Sequence, residues 1–217
     1  MTHLTLDFVS DVSCPWCAVG LGALQQALRR LAPQITADLH FHPFELNPHM
    51  GPGGQDLGEH LTEKYGSSPQ QQAFIREQIR QRGAQVGFEF HPDGRGRIYN
   101  TFDAHRLLNW AATISPAAQL ALKIALLQAC HRDREAMDDH AVLLKAAKAA
   151  ELPAQTAQQV LSSTACAEQV LQSQAYYREA GIQSVPAVII NQRHLVSGGQ
   201  PAEVFEQALL KVATPPT

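Results

Sequence analysis

This sequence of 217 residues lacks a marked excess of charge of either sign: 17 lysines and arginines are balanced by 20 aspartates and glutamates, a formal net charge of −3. Without a basic patch or polybasic run, neither nucleic acid nor a membrane surface is expected as a partner. No apolar run approaches the roughly 20 residues of a membrane span. The N-terminal MTHLTLDFVSDVS also lacks a basic segment followed by an apolar one, so a cytoplasmic location is the default expectation.

Cysteine is scarce as well. Four cysteines in so long a chain are too few for a disulfide framework, and in a reducing compartment they are expected to be thiols. Cys130 and Cys166 stand alone among alanine and leucine neighbours, which predicts inert, buried thiols. Cys14 and Cys17 instead form a closely spaced pair, CPWC. Any disulfide of this protein is therefore expected to be transient and chemical.

Metal-binding spacings are missing too. A structural zinc site needs two further Cys or His ligands at short spacing, whereas the cysteine after Cys17 is Cys130, far along the chain. None of the ten histidines has the HxxxH or HExxH spacing of a helical metal site. No metal is expected.

Hydrophobic periodicity predicts an α/β protein. LTLDFVS reads as a strand, a helix with Ser13 as its N-cap follows up to Leu31, and ITADLHFHPFELNP reads as a second strand, a β-α-β start. Near the C-terminus a helix, two short strands, a Gly-Gly turn and a last helix give a β-β-α end. Between them we predict helices over 69–82, 101–114, 116–131, 138–150 and 153–161, with loops over 50–58 and 87–100.

This order predicts a central mixed sheet with a large all-helical insertion. No linker-like stretch separates the pieces, so 1–50 and 163–217 are assigned to one domain and 51–162 to a helical insertion subdomain. The Arg95-Gly-Arg97 segment is expected to be a solvated loop.

The spacing and position of CPWC favour redox chemistry. A Cys14–Cys17 crosslink closes too small a loop to stabilise the fold much. At a helix start, however, unpaired N–H groups and the helix dipole favour the thiolate of Cys14, which is the nucleophile. Cys17, deeper in the helix, would resolve the mixed disulfide.

The whole chain resembles a known family. The chain resembles the thioredoxin superfamily in the order of its features: a strand, CPWC at the start of a helix, and later a Val185-Pro186 step before a hairpin and a terminal helix. The helical insertion resembles the DsbA-like branch of that superfamily. Four segments resemble the FrnE-like DsbA oxidoreductases: SDVSCPWCAVG, PFELNP, YNTFDAHRLLNWA and GIQSVPAVIINQRHLVSGGQ. The resemblance implies a thioredoxin-like fold and a protein disulfide oxidoreductase or isomerase.

The resemblance also implies roles at the site. Pro186 would be a cis-proline against Cys14, and Val185 would offer its backbone to an extended substrate. Independently of the resemblance, the position of Pro15 and Trp16 between the cysteines predicts that they tune the thiol, and Trp16 is either a partly exposed lid on a binding surface or part of the core.

Further residues have two interpretations each. Asp7 is a possible buried acid assisting proton transfer at Cys17, or else a solvated strand-end aspartate. Asp103 and His105 would contact substrate from a helix over the cleft, or form a solvated face. Gly199 and Gln200 precede a helix N-terminus that could bind an anionic group, or form a simple tight turn.

The leading hypothesis is a thiol–disulfide oxidoreductase that reduces, forms or isomerises disulfides in protein or small thiol substrates. It needs no bound cofactor; glutathione or a thioredoxin-type donor would recycle it. The runner-up is a glutathione-dependent enzyme of the kappa-class transferase or 2-hydroxychromene-2-carboxylate isomerase type, in which glutathione would be the co-substrate. A non-catalytic binding module is the third possibility. Both a monomer and a homodimer stay open.

Overall fold

The structure, a computed structural model, describes residues 1–214. In chain order its elements are β1 (Thr2–Ser10), α1 (Pro15–Leu31), β2 (Ile35–Pro43), β3 (Gln55–Asp56), α2 (Leu57–Tyr65), α3 (Pro69–Gln85), β4 (Arg97–Ile98), α4 (Phe102–Ile114), α5 (Pro116–His131), α6 (His140–Ala149), α7 (Ala154–Leu161), α8 (Ala167–Glu179), β5 (Ala187–Ile190), β6 (His194–Ser197) and α9 (Ala202–Ala213).

The main sheet has the strand order β2-β1-β5-β6. β1 pairs with β2 in parallel and with β5 antiparallel, and β5 and β6 form a hairpin. A parallel pair needs a crossover connection, which α1 supplies. The predicted mixed α/β architecture, with a β-α-β half and a β-β-α half around inserted helices, is confirmed.

Alternate residues of β1 point to opposite faces of the sheet. Leu6 and Phe8 pack in the same core cluster as Cys17 of α1 and Phe205 of α9. Val9 belongs instead to a smaller cluster with Tyr177 of α8. The two cysteines of the motif therefore lie on the α1 and α9 side of the sheet.

The inserted helices have a core of their own. α4, α5, α6 and α7 bury one cluster, whose members include Leu107, Leu122, Leu126, Leu143 and Val160. Gln119 of α5 joins this layer to the edge strand β2, because its side chain accepts from Phe41 N at 3.0 Å and donates to Phe41 O at 2.9 Å. The proposed boundaries at 50–51 and 162–163 stay a prediction. Within residues 1–214 no helix is long and apolar enough to cross a membrane.

The structure corrects four local predictions, and one of them is the loop expected over 87–100, which contains β4 paired with β3. The N-cap of α1 is Cys14, not Ser13, since the Ser13 hydroxyl donates to Asp11 instead. β2 ends at Pro43 rather than continuing to residue 48, because its partner β1 ends at Ser10. The expected loop at 50–58 contains β3 and the start of α2, whose N-cap Asp56 accepts from two backbone N–H groups.

Candidate active site

The end of β1 and the start of α1 position the cysteine pair. Cys14 is the N-cap with extended backbone, Pro15 fills the first helical position, and Cys17 N donates to Cys14 O at 3.0 Å. Proline suits this position because its missing N–H would have no helical partner. Cys14 is 4% exposed and Cys17 is wholly buried. The first sulfur is thus at the helix end and the second inside the fold.

The two thiols differ in acidity. A hydrogen bond from Cys17 lowers the pKa of Cys14 below its ordinary value; burial and the charge of Asp11 oppose this, and Arg95 assists it. Burial raises the pKa of Cys17 well above its ordinary value, and the hydrogen bond to Cys14 adds to that rise. Cys14 is therefore suited to act as a thiolate nucleophile, while Cys17 holds its proton.

Pro186 lies beside the pair. The Val185–Pro186 peptide bond is cis, and the Cys14 thiol donates to the Val185 carbonyl at 3.5 Å. Gly20 of α1 allows this approach, because a Cβ there would lie 3.0 Å from Pro186 Cγ. The Pro186 carbonyl accepts from Gly198 N at 2.8 Å, so the hairpin holds the proline in place.

Trp16 borders a cleft next to the motif. Its ring and backbone pack on Gly199, where a Cβ would lie 3.0 Å from Trp16 O. Arg82 of α3 donates to Gly199 O at 3.0 Å, and Gln200 donates to Ser197 O at 2.8 Å within its own turn. The cleft is lined by Trp16, Gln78, Gln81, Arg82 and Gln85. The structure thus brings Trp16 and Gly199 together and leaves the Gln200 amide engaged locally.

Asp7 lies on the far face of the sheet from Cys17. Its Oδ1 is 2.8 Å from His42 Nε2, and it is flanked on β1 by Leu6 and Phe8, which face the Cys17 side. The strand alternation therefore directs its carboxylate away from the pair.

Asp11 is the buried carboxylate at the motif, and the sequence interpretation missed it. It is 1% exposed and accepts from Ser13 N at 3.1 Å, from the Ser13 hydroxyl at 3.2 Å and from Leu46 N at 2.8 Å. Burial works against its charge, but nearby His105 and the backbone hydrogen bonds from Leu46 and Ser13 hold its pKa well below the usual range. Its place three residues before Cys14 was the available signal.

His105 and Asp103 lie in different places. His105 is buried behind the pair, with Nε2 at 3.5 Å from Asp11 Oδ1. Asp103 binds Arg106 at 2.7 Å and His140 at 2.8 Å, and Arg106 also donates to the backbone carbonyls of Val160, Ser163 and Ala165. Asp103 therefore belongs to the helical layer, where its carboxylate is engaged on both oxygens.

The insertion supplies charged groups that sequence reasoning did not find. Arg95 was expected in a solvated loop, yet its Nη1 is buried and it acts on the pKa of Cys14. Lys123 of α5 is wholly buried. Burial raises the pKa of Cys130 to about 11, as expected for an inert thiol, whereas Cys166 is only half-buried. Residues 1–214 contain no group of three or more His, Cys, Asp or Glu side chains able to hold a metal ion.

Comparisons with known proteins identify the family to which the chain belongs. The DSBA-like thioredoxin domain family matches residues 5–210, and the chain belongs to this family. The probable DsbA oxidoreductase from Streptomyces coelicolor is 30% identical, with a TM-score of 0.90 over 99% of this chain and 92% of that one. No curated protein sequence gives a significant match.

More distant structures share the fold alone. The cytosolic disulfide reductase DsbM from Pseudomonas aeruginosa with GSH is 16% identical, with a TM-score of 0.65 over 96% of this chain and 98% of that one. A 2-hydroxychromene-2-carboxylate isomerase is 14% identical, with a TM-score of 0.67 over 96% and 95%. The protein therefore has a DsbA-like thioredoxin fold with a helical insertion; the FrnE-like branch stays a prediction.

Proposed function

We propose that this protein is a thiol–disulfide oxidoreductase in which Cys14 exchanges disulfides with substrate and Cys17 resolves the mixed disulfide. The observation that carries the proposal is the asymmetry of the pair. Cys14 is at a helix N-terminus with a lowered pKa, and Cys17 is wholly buried with a raised one. Such a pair separates the attacking thiolate from the thiol that later closes the intramolecular disulfide.

The surroundings of Cys14 support an extended peptide or small thiol as substrate. The Val185 backbone and Pro186 lie against the sulfur. The adjoining cleft carries the aromatic face of Trp16, the amides of Gln78 and Gln81, and the Arg82 guanidinium. Amide and guanidinium donors suit the carbonyls and carboxylates of a peptide.

Disulfide reduction or isomerisation with glutathione as recycling partner is the direction we propose, in the cytoplasm. The disulfide reductase from Pseudomonas aeruginosa, which shares this fold, is described as cytosolic and with GSH. A thioredoxin-type donor is the alternative source of electrons. A lowered Cys14 pKa stabilises the reduced pair, so a strongly acidic Cys14 would instead favour oxidation of substrates.

Equilibration in a series of glutathione redox buffers tests the proposal. Thiol trapping and intact mass would count free thiols, with C14S as control. A two-thiol transition confined to Cys14 and Cys17, absent from C14S, is the expected result, and its midpoint gives the direction. A pair that stays reduced in every buffer would contradict the proposal.

A glutathione-dependent transferase or isomerase is the second candidate. The turn at Gly198–Gln200, beside Trp16 and Arg82, favours it as a place for a bound tripeptide. Non-covalent glutathione binding by a permanently reduced protein would support this candidate over the first. A binding module without turnover is the remaining alternative, and it predicts that a C14S/C17S variant keeps its cellular role.

A further inference from the structure

Lys123 is the most unusual buried side chain of the fold. It is 0% exposed, and its Nζ has no hydrogen-bond partner among residues 1–214. A buried ammonium without a partner is costly, so such an amine is either neutral or balanced by a nearby anion. Lys123 also lies in an otherwise apolar stretch of α5, LALKIALL, where leucine would pack without that cost.

The face of α5 that carries Lys123 runs along the cysteine-bearing end of the sheet. Gln119, Lys123, Leu127 and His131 are four residues apart and share one side of the helix. Gln119 binds the Phe41 backbone, Leu127 packs in the core cluster of Cys17, and His131 Nε2 donates to Val12 O at 2.9 Å.

The position of the Lys123 amine agrees with this placement of α5 beside the cysteine pair. Lys123 Nζ lies 6.0 Å from the centre of the Phe41 ring, and Phe41 belongs to the same core cluster as Cys17. Burial lowers the pKa of Lys123, while the cysteine pair and Asp11 act to raise it. The amine therefore shares a buried compartment with the resolving thiol.

Few anions are available in that compartment. Ionisable groups that face Lys123 from the surrounding elements are Asp11, Cys14, Cys17, His42, His105, Cys130 and His131. Asp11 already accepts hydrogen bonds from Ser13 and Leu46 and pairs with His105, and Cys130 keeps its proton, with a pKa of about 11. Cys14, the thiolate of the reduced pair, is bonded to the substrate sulfur in the mixed disulfide and carries no charge there. Cys17 must lose a proton during disulfide exchange, and it is sealed from solvent.

We propose that Lys123 is the amine that takes the proton of Cys17 when this thiol attacks the mixed disulfide. The proposal rests on the proposed function and deepens it. In the step, the Cys17 S–H proton passes to the neutral Lys123 amine, and Cys17 sulfur attacks Cys14 sulfur. The Cys14–Cys17 bond forms, the bond from Cys14 to the substrate sulfur breaks, and a thiolate leaves. Cys17 is oxidised, the substrate sulfur is reduced, and the new ammonium balances the released thiolate.

A small cavity gives the proton a way out. Lys123 lines it together with His42 and His105, and its other walls are Phe41, Pro43, Leu108 and Asn109. His42 is partly exposed, with 26% of its side chain accessible. The ammonium can therefore return its proton towards solvent through this cavity, past His42 of β2.

The test is the resolution step of a defined mixed disulfide. Reduced protein is mixed with excess oxidised glutathione, quenched in acid at intervals, and analysed by mass for the Cys14–glutathione adduct and the Cys14–Cys17 disulfide. In K123M, which keeps length and packing, we expect the adduct to accumulate and to resolve at least about tenfold more slowly at neutral pH. The rate should then rise with pH as Cys17 ionises unaided.

A matched control separates chemistry from packing. L126M changes a buried residue of the same helix that faces the helical core, and it should resolve the adduct at the wild-type rate. If K123M resolves the adduct at the wild-type rate and with the wild-type pH profile, the inference about Lys123 is overturned and the proposed function is not affected. Failure of the wild-type protein to form the Cys14–Cys17 disulfide would instead overturn the proposed function.

If K123M does not fold, a measurement on the wild-type protein tests the role of Lys123 instead. Nitrogen NMR of labelled lysine would follow the titration of Lys123 in the dithiol and disulfide states. We expect the amine to titrate at higher pH in the dithiol state, because the disulfide removes the negative charge of the pair. Identical titration in both states would overturn the inference.

Discussion

Removal of the Asp11 charge should lower the stability of the fold and, at the same time, make the Cys14 thiol more acidic. The carboxylate accepts from Ser13 N at 3.1 Å and Leu46 N at 2.8 Å and lies 3.5 Å from His105. In D11N only one carbonyl oxygen stays an acceptor, and the new NH2 group meets N–H donors. Hydrogen bonds to buried charges contribute about 1.5–3 kcal/mol, and loss of one partner of a buried pair costs about 3–5 kcal/mol.

We therefore expect D11N to lower the free energy of unfolding by about 3 kcal/mol, measured by urea unfolding with circular dichroism. Cys14 should become more acidic at the same time. The hydrogen bond from Cys17 that lowers its pKa is retained, while the opposing charge of Asp11 is lost. Ultraviolet absorbance of the thiolate against pH would measure this second effect.

D7N is the matched control. Asp7 lies on β1, four residues before Asp11, and faces His42 on the other side of the sheet, so the thiolate titration should stay at its wild-type position. The reasoning is refuted if D11N is as stable as the wild type, or if D7N shifts the Cys14 titration as far as D11N does.

Three further predictions follow from single contacts. G20A should slow reaction with peptide disulfides because its Cβ meets Pro186 at 3.0 Å, whereas G51A, whose Cβ meets nothing within 4 Å, should not; peptide-disulfide kinetics compare them. Burial lowers the pKa of His131 to about 3, so stability should be complete above about pH 6.5 and fall towards pH 3 by up to about 1.4 kcal/mol per unit. H131Q should flatten that slope in urea unfolding at several pH values, and an unchanged slope would contradict this. C130A should keep the wild-type redox midpoint in glutathione buffers, because burial holds the Cys130 thiol protonated.

Local patterns predicted much of the fold. α5 occupies 116–131 as expected, because Pro116 marks its start and its apolar spacing is continuous. α2 was missed because its signal is a cap: Asp56 accepts from Gly58 N and Glu59 N in a glycine-rich stretch that reads as a loop. Short-range rules thus find long periodic helices more readily than short helices that depend on one side chain.

The sequence predicted the candidate site only where the reactive residues are close together in the chain. CPWC is a contiguous motif, whereas the two aspartates are told apart only by the fold. Asp7 lies on β1 and its side chain meets His42, while Asp11 lies in the turn after β1 and accepts from the Ser13 and Leu46 backbone. Lys123 reaches the cysteine compartment through α5, over a hundred residues along the chain. Its signal was a lone lysine in an apolar helix, and only packing shows what it faces.

The central claim is that Cys14 attacks and Cys17 resolves. Reaction of reduced protein with oxidised glutathione, mapped by peptide mass spectrometry, tests it most directly when the C17S variant is compared with the wild type: the adduct should persist in C17S and give way to the Cys14–Cys17 disulfide in the wild type. We predict a glutathione adduct on Cys14 before any on Cys166, although Cys14 is the more buried of the two, because burial raises the pKa of the Cys166 thiol. An adduct on Cys166 with Cys14 still a free thiol would contradict the account.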